Sequence, residues 1–506
     1  MQNAKHLKPR ASRPRALLLV AFCILHFALL GCASAPARRS ESSAQAAAQL
    51  RADVIAATHG PGVSRGSWGI VVESLDRHDR LIDLNSTTLF VPASIAKVVS
   101  VATAAEAVGW DYRFETSLLT TGSVSQGRLF GDLLIVGSGD PSIGGRGGGD
   151  LSAFVAAVKA AGFERIEGRI IGDDDALEEP RPQLSWAWDD LGYTTGALFG
   201  ALNLSENRTI VSVAPGPVAG APAKVTLDVR AEGRPIINRA VTGPTGTASL
   251  VWPEQRPGET PLTIAGSIPV GAQATPLGIS TGNPTLWFAS VLRNRLIEEG
   301  IIVTGDAVVV DDLTPAPDRA GATTLFTYQS PTLAQIARPL LKDSINLYGE
   351  AFMRLNAEKG AFPTNDAALE GLRKRLAAWG LPEGSYELVD GSGLSRRDAI
   401  SPEAILTVLQ RMSDPSVSSP FVAALPVAGV DGSLATRMKA TAAEGNVRAK
   451  TGTMSNIRSM AGYVTARNGE HLAFVIVINN FEGTGAAANQ AIDNIAVRLA
   501  EFTRTP

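Results

Sequence analysis

The chain has 506 residues, 45% hydrophobic and 19% charged, which is the composition of an ordinary globular protein with room for two or three separate cores. Its 50 glycines and 30 prolines imply many turns and much β structure, without the periodicity of a fibrous protein. The net charge of −3 becomes −8 once residues 1–31 are set aside as a leader carrying five basic and no acidic residues, which argues against a nucleic-acid surface.

That leader is the first element. Lys5, Lys8, Arg10, Arg13 and Arg15 precede an apolar run from Ala16 to Leu30, short for a membrane span and typical of an export signal. It ends in Leu29-Leu30-Gly31-Cys32, similar to the lipobox of bacterial lipoproteins, so lipidation of Cys32 is expected. Ala33-Ser34-Ala35 offers ordinary signal cleavage as the alternative. Beyond Cys23 and Cys32 there is no cysteine, hence no internal disulfide and no thiol nucleophile. Only His59, His78 and His471 lie past the leader, with no metal-ligand spacing; no metal and no cofactor are expected.

An Ala-rich stretch from Ala33 to Ala57 reads as a linker and a first helix. Gly69–Val72 and Leu81–Leu84 read as a hairpin. Pro92 then introduces a helix from Ser94 to Val108, small and apolar on nearly all faces and so expected in the middle of a domain. On that helix Ser94 and Lys97 share a face, so the amine can reach the hydroxyl and take its proton, and a serine so activated attacks a carbonyl without histidine. The helix start would also let the N–H of Ser94 hold an oxyanion.

The middle of the chain contains an internal echo. Ala161–Asp174 (AGFERIEGRIIGDD) and Glu299–Asp312 (EGIIVTGDAVVVDD) each follow a helical stretch, and they bracket residues 191–275, which are rich in Val, Thr, Pro and Gly and read as all-β. Either one domain is inserted into another here, or two helix-to-strand turns are alike by chance.

Two more motifs follow. Ser344-Ile345-Asn346 supplies a hydroxyl and an amide, suited to relaying a proton and to bonding a substrate backbone, although a helix cap has the same composition. Lys450-Thr451-Gly452-Thr453 places a cation and hydroxyls on a strand, where Gly452 would let a substrate lie against the strand edge. Val447–Met454, Met460–Thr465 and Leu472–Asn479 are strand-like, and Ala486–Phe502 is an amphipathic helix.

In this order the three motifs resemble those of the penicillin-binding proteins and serine β-lactamases. Within that group the chain resembles the class C low-molecular-mass penicillin-binding proteins, the D-alanyl-D-alanine carboxypeptidase/endopeptidase family known for two extra domains between the first two motifs, and the separation of 250 positions from Ser94 to Ser344 favours that branch. Gly131–Pro141, Trp186–Leu191, Asp390–Arg396 and Leu425–Leu434 also match. The resemblance implies an α/β (α+β) fold: a β-lactamase/transpeptidase-like domain (32–115 and 327–506) after the signal peptide (1–31). A nested two-domain insertion would interrupt it, α/β at 116–190 and 276–326 and mostly β at 191–275.

It implies a serine D-Ala-D-Ala carboxypeptidase/endopeptidase acting on peptidoglycan stem peptides, inhibited by β-lactam antibiotics, exported to the periplasm and held at the membrane by a lipid anchor. Ser94 would be the nucleophile, Lys97 its base, Ser344 and Asn346 the proton relay and acyl-chain ligands, and the N–H groups of Ser94 and Thr453 the oxyanion hole. Lys450 and Thr451 would bind the terminal carboxylate. Asp190, or its neighbour Asp189, would meet the free amine of the penultimate side chain. The alternatives are a β-lactamase or esterase on the same fold and a silent cell-wall binding protein.

Overall fold

Alternation along the strands decides which residues face which layer. In the computed structural model, which describes residues 35–183, 185–227, 235–256 and 261–505, five antiparallel strands form one sheet. Their order is Arg80–Leu84, Ser67–Ser74, His471–Asn479, Ile457–Thr465 and Arg448–Met454. Ile70, Val72, Phe474 and Ile476 point to one face, under the helices Ala35–Thr58 and Gly485–Ala500. Val71, Ala473 and Val475 point to the other, where Ala96–Val108, Leu333–Asp343, Asn346–Arg354 and Pro402–Arg411 pack. Strand His471–Asn479 is buried on both faces, which is why its apolar run is unbroken rather than alternating. The export signal and Cys32 lie outside the described residues, and among the described residues no helix is long and apolar enough to cross a membrane.

The helix Ala96–Val108 sits in the centre of the helical layer, with every residue from Ala96 to Ala105 buried. Its start differs from the expected Ser94: a 3-10 turn, Ala93–Ile95, comes first and contains the serine. The turn is bent by its neighbours. Asn479 clasps Val91 through both its amide atoms, at 2.9 and 3.1 Å, and Ser459 Oγ donates to Pro92 O at 2.7 Å. Ala93 is left at φ +51°.

Between the two parts of this sheet-and-helix unit, Ala307–Val309, Ile170–Asp173, Leu133–Val136, Glu115–Thr120 and Thr323–Gln329 form a second five-stranded sheet. The helices Ser152–Ala160 and Pro284–Glu298 cover its core. The echoed segments lie side by side in it: Ile170 pairs with Ala307 and Gly172 with Val309, in parallel. Between them the chain forms small sheets from Arg208–Ala214 to Thr275–Ser280 around a core of its own.

Candidate active site

Lys97 is fully buried and its Nζ donates to three oxygens: Ser94 Oγ at 2.9 Å, Asn346 Oδ1 at 2.7 Å and Ser392 O at 2.6 Å. These come from the 3-10 turn, from the first turn of the helix Asn346–Arg354 and from the loop after Val389, so three distant stretches converge on one amine. Burial pushes the Lys97 ammonium down to about 8, against the opposing pull of Asp390, Glu350 and Asp398.

Ser344 lies between two helices in the left-handed region, at φ +61°, a conformation that costs a serine about 1 kcal/mol. Lys450, on the edge strand, donates to Ser344 Oγ at 2.8 Å and to Thr451 O at 2.6 Å. It too is fully buried. Loss of solvent, and then the charge of Lys97, hold its pKa well below the ordinary lysine value. Each lysine therefore serves one hydroxyl, Lys97 that of Ser94 and Lys450 that of Ser344.

A cavity of about 430 Å³ opens in front of these groups, lined by Ser94, Ser344, Asn346, Thr195, Ser433, Thr451, Thr453 and Arg396 among others. Lys450 does not line it. Thr451 does, with its hydroxyl donating to Ser433 Oγ at 2.6 Å, so the cation stands behind a pair of hydroxyls. Gly452 has a packing role beside the expected open strand edge. A Cβ there would come 2.1 Å from Ser459 Oγ, 2.8 Å from Pro92 O and 3.1 Å from Ser94 N, so the missing side chain lets the strand approach the Ser94 turn. Asp189 and Asp190 both line the cavity too, on a 3-10 turn from Trp188 to Asp190. Asp190 is the more buried, and burial, with Asp189 beside it, raises its carboxyl above the ordinary value while Arg396 pulls the other way.

The motifs alone did not reveal a buried acidic support behind Lys97. Asp390 accepts from the N–H of Ser392 at 3.1 Å, Gly393 at 2.6 Å and Ser395 at 2.8 Å, and from Trp186 Nε1 at 2.8 Å. Glu350 accepts from the N–H of Gly391 and Ser392 at 3.2 and 2.9 Å, and burial, with Asp390 nearby, pushes its carboxyl up to about 7. Burial and Asp390 likewise hold Asp398 well above the ordinary range. These acids fix the turn whose Ser392 carbonyl receives Lys97. The available signal was the Asn346/Glu350 spacing, which places both on one helix face.

The model of the D-Ala-D-Ala carboxypeptidase 3 (S13) family matches residues 50–502. The chain belongs to this family. It is 32% identical to the D-alanyl-D-alanine carboxypeptidase of Actinomadura sp. (strain R39), over 97% of this chain and 91% of that one. The D-alanyl-D-alanine carboxypeptidase DacB of Haemophilus influenzae is 25% identical over 82% of this chain and 85% of its own. Penicillin binding protein 4 (dacB) of Haemophilus influenzae superposes with a TM-score of 0.78 at 23% identity, covering 89% of this chain and 99% of that one, a likeness of fold. The architecture is thus the transpeptidase/β-lactamase-like one that the motifs implied, and the chain is a D-Ala-D-Ala carboxypeptidase of the S13 family.

For a carboxypeptidase of this kind the lowered Lys97 pKa has a pH signature. The neutral amine is the form that accepts a proton, and its share grows from about one-tenth at pH 7 to about nine-tenths at pH 9 for a group near 8. The second-order rate of Ser94 acylation should rise roughly tenfold over that span and fall away below it. A profile flat from pH 6 to 10, measured with a chromogenic cephalosporin, would remove Lys97 as the base.

Proposed function

We propose that this protein cleaves D-Ala-D-Ala peptides of peptidoglycan through an acyl-enzyme on Ser94. The observation that carries the reading is a fully buried amine 2.9 Å from a cavity-facing serine hydroxyl. Lys97 takes the Ser94 proton as Oγ attacks the carbonyl carbon of the penultimate D-Ala. The oxyanion accepts hydrogen bonds from the N–H groups of Ser94 and Thr453, which the close pass of Gly452 against Ser94 N supports. Ser344, held by Lys450, relays the proton that Lys97 took to the departing amine, and the C–N bond breaks to release D-Ala and leave Lys97 neutral. Water then attacks the ester, Lys97 takes its proton and returns it to Ser94 Oγ as the C–O bond breaks, and Ser94 is restored. Asn346, tied to Lys97 Nζ and to Thr195 O at 2.9 Å, holds the acyl chain.

The terminal carboxylate of a carboxypeptidase substrate docks on the Thr451 and Ser433 hydroxyls with the Lys450 charge behind them. A β-lactam follows the same path to Ser94 and stalls as the acyl-enzyme. Asp190 reads a free amine on the penultimate residue's side chain, a charge-assisted contact worth about 1.5–3 kcal/mol, or roughly ten- to a hundredfold in rate. The ratio of D-Ala release from a peptide with a free side-chain amine to release from its acetylated twin should fall by that factor in Asp190→Asn. An unchanged ratio would move the reading to Asp189 or abandon it.

The domain division, with one unit built from 32–115 and 327–506 and two inserted units at 116–190 with 276–326 and at 191–275, is part of the same proposal. So is export to the periplasm with a lipid on Cys32. Cys32→Ser should then shift the protein from the membrane fraction to the soluble one, and an unshifted distribution would exclude the anchor.

A further inference from the structure

The echoed strands end in paired acids, Asp173-Asp174 and Asp311-Asp312, that the reaction does not use. Because Ile170–Asp173 and Ala307–Val309 pair in parallel, both acidic pairs leave the sheet at the same end. The segment after Asp174 then brings Glu179 back, so that one carboxylate oxygen from each of Asp174, Glu179 and Asp311 lies within 4.8 Å of the other two. The strand pairing fixes two of the three, which prevents them from drifting apart.

Asp174 gives a second, separate sign. It is 2% exposed; Oδ2 accepts from the Thr285 hydroxyl, while Oδ1 is buried with no hydrogen-bond partner. A buried carboxylate oxygen without a donor is costly unless a positive charge meets it. Arg319 pairs with the neighbouring Asp173 and Asp175. The charged groups that bear most on Glu179 are Asp174, Asp311 and Asp175, all acidic.

We propose that Asp174, Glu179 and Asp311 form a binding site for one divalent cation of the calcium class. Three carboxylates without nitrogen or sulfur suit a hard cation, and an irregular set with two exposed members, leaving room for water ligands, suits Ca²⁺ better than Mg²⁺ with its strict octahedron. The site also has a place in the fold. Glu178, next to Glu179, accepts from the N–H of Asn365 at 2.8 Å, and Trp186 donates to Asp390 behind Lys97. A cation at Glu179 therefore pins the near end of the segment whose far end supports the cavity.

The test is calorimetric titration of the EDTA-treated protein with CaCl2, and separately with MgCl2, alongside Glu179→Gln and Asp311→Asn, two exposed positions. The expected result is one saturable Ca²⁺ site with a dissociation constant of about 10⁻⁴–10⁻³ M, the range of extracellular calcium modules, weakened at least tenfold in each variant. Calcium should also raise the thermal midpoint of the wild type and not of the variants. No saturation by about 10 mM Ca²⁺, equal binding by wild type and variants, or tighter Mg²⁺ than Ca²⁺ binding would overturn the proposal.

Discussion

Lys97→Ala is expected to slow acylation of Ser94 by about 10³–10⁴-fold, the upper part of what general-base catalysis contributes. The lysine is the one amine in contact with Ser94 Oγ among the described residues, and its removal also leaves Asn346 Oδ1 and Ser392 O without their donor. Lys97→Arg separates proton transfer from charge. A guanidinium keeps the positive charge against Asp390 and Glu350 but stays protonated at any working pH, so it should rescue folding and not acylation. Stopped-flow acylation by a β-lactam measures both variants. Recovery of the rate by arginine to within tenfold would show that the charge, and not the base, is what the reaction needs.

The second large effect is expected at Asp390. Its two oxygens receive three backbone N–H groups and the Trp186 indole in a site that is 1% exposed. Asp390→Ala strands all four donors in the interior. Asp390→Asn fares little better, because its amide nitrogen has to face N–H groups where an oxygen accepted them. Relief of the crowding with Glu350 and Asp398 offsets part of the loss, leaving a net destabilisation of about 3–5 kcal/mol. An earlier urea transition, followed by the fluorescence of the buried Trp186, checks the magnitude, and acylation should slow as well because the Ser392 carbonyl that holds Lys97 rides on this turn. An unchanged midpoint would mean that the turn holds its shape without Asp390.

These two residues also show what could be read from the sequence. Ser94 and Lys97 are three positions apart, so their meeting depends only on local backbone geometry and survives the shift from α-helix to 3-10 turn. The strands Arg448–Met454, Ile457–Thr465 and His471–Asn479 were legible because one face or both must be apolar. Asp390 and Asp398, Glu350 and Trp186 come from three separate stretches, and no spacing rule connects Trp186 to Asp390 across 204 positions. The packing role of Gly452 is hidden for the same reason, since Pro92 and Ser94 approach it from the far end of the chain. The echo before Asp174 and Asp312 was visible as a repeat, whereas the parallel register that gathers the carboxylates is a property of the folded sheet.

Intact-mass measurement after incubation with benzylpenicillin tests the central claim, Ser94 as the acylated residue, most directly. One penicilloyl group per chain is expected, mapping to the peptide that contains Ser94, slow to hydrolyse and absent from Ser94→Ala. An adduct on any other residue, or an undiminished adduct in Ser94→Ala, would contradict the account.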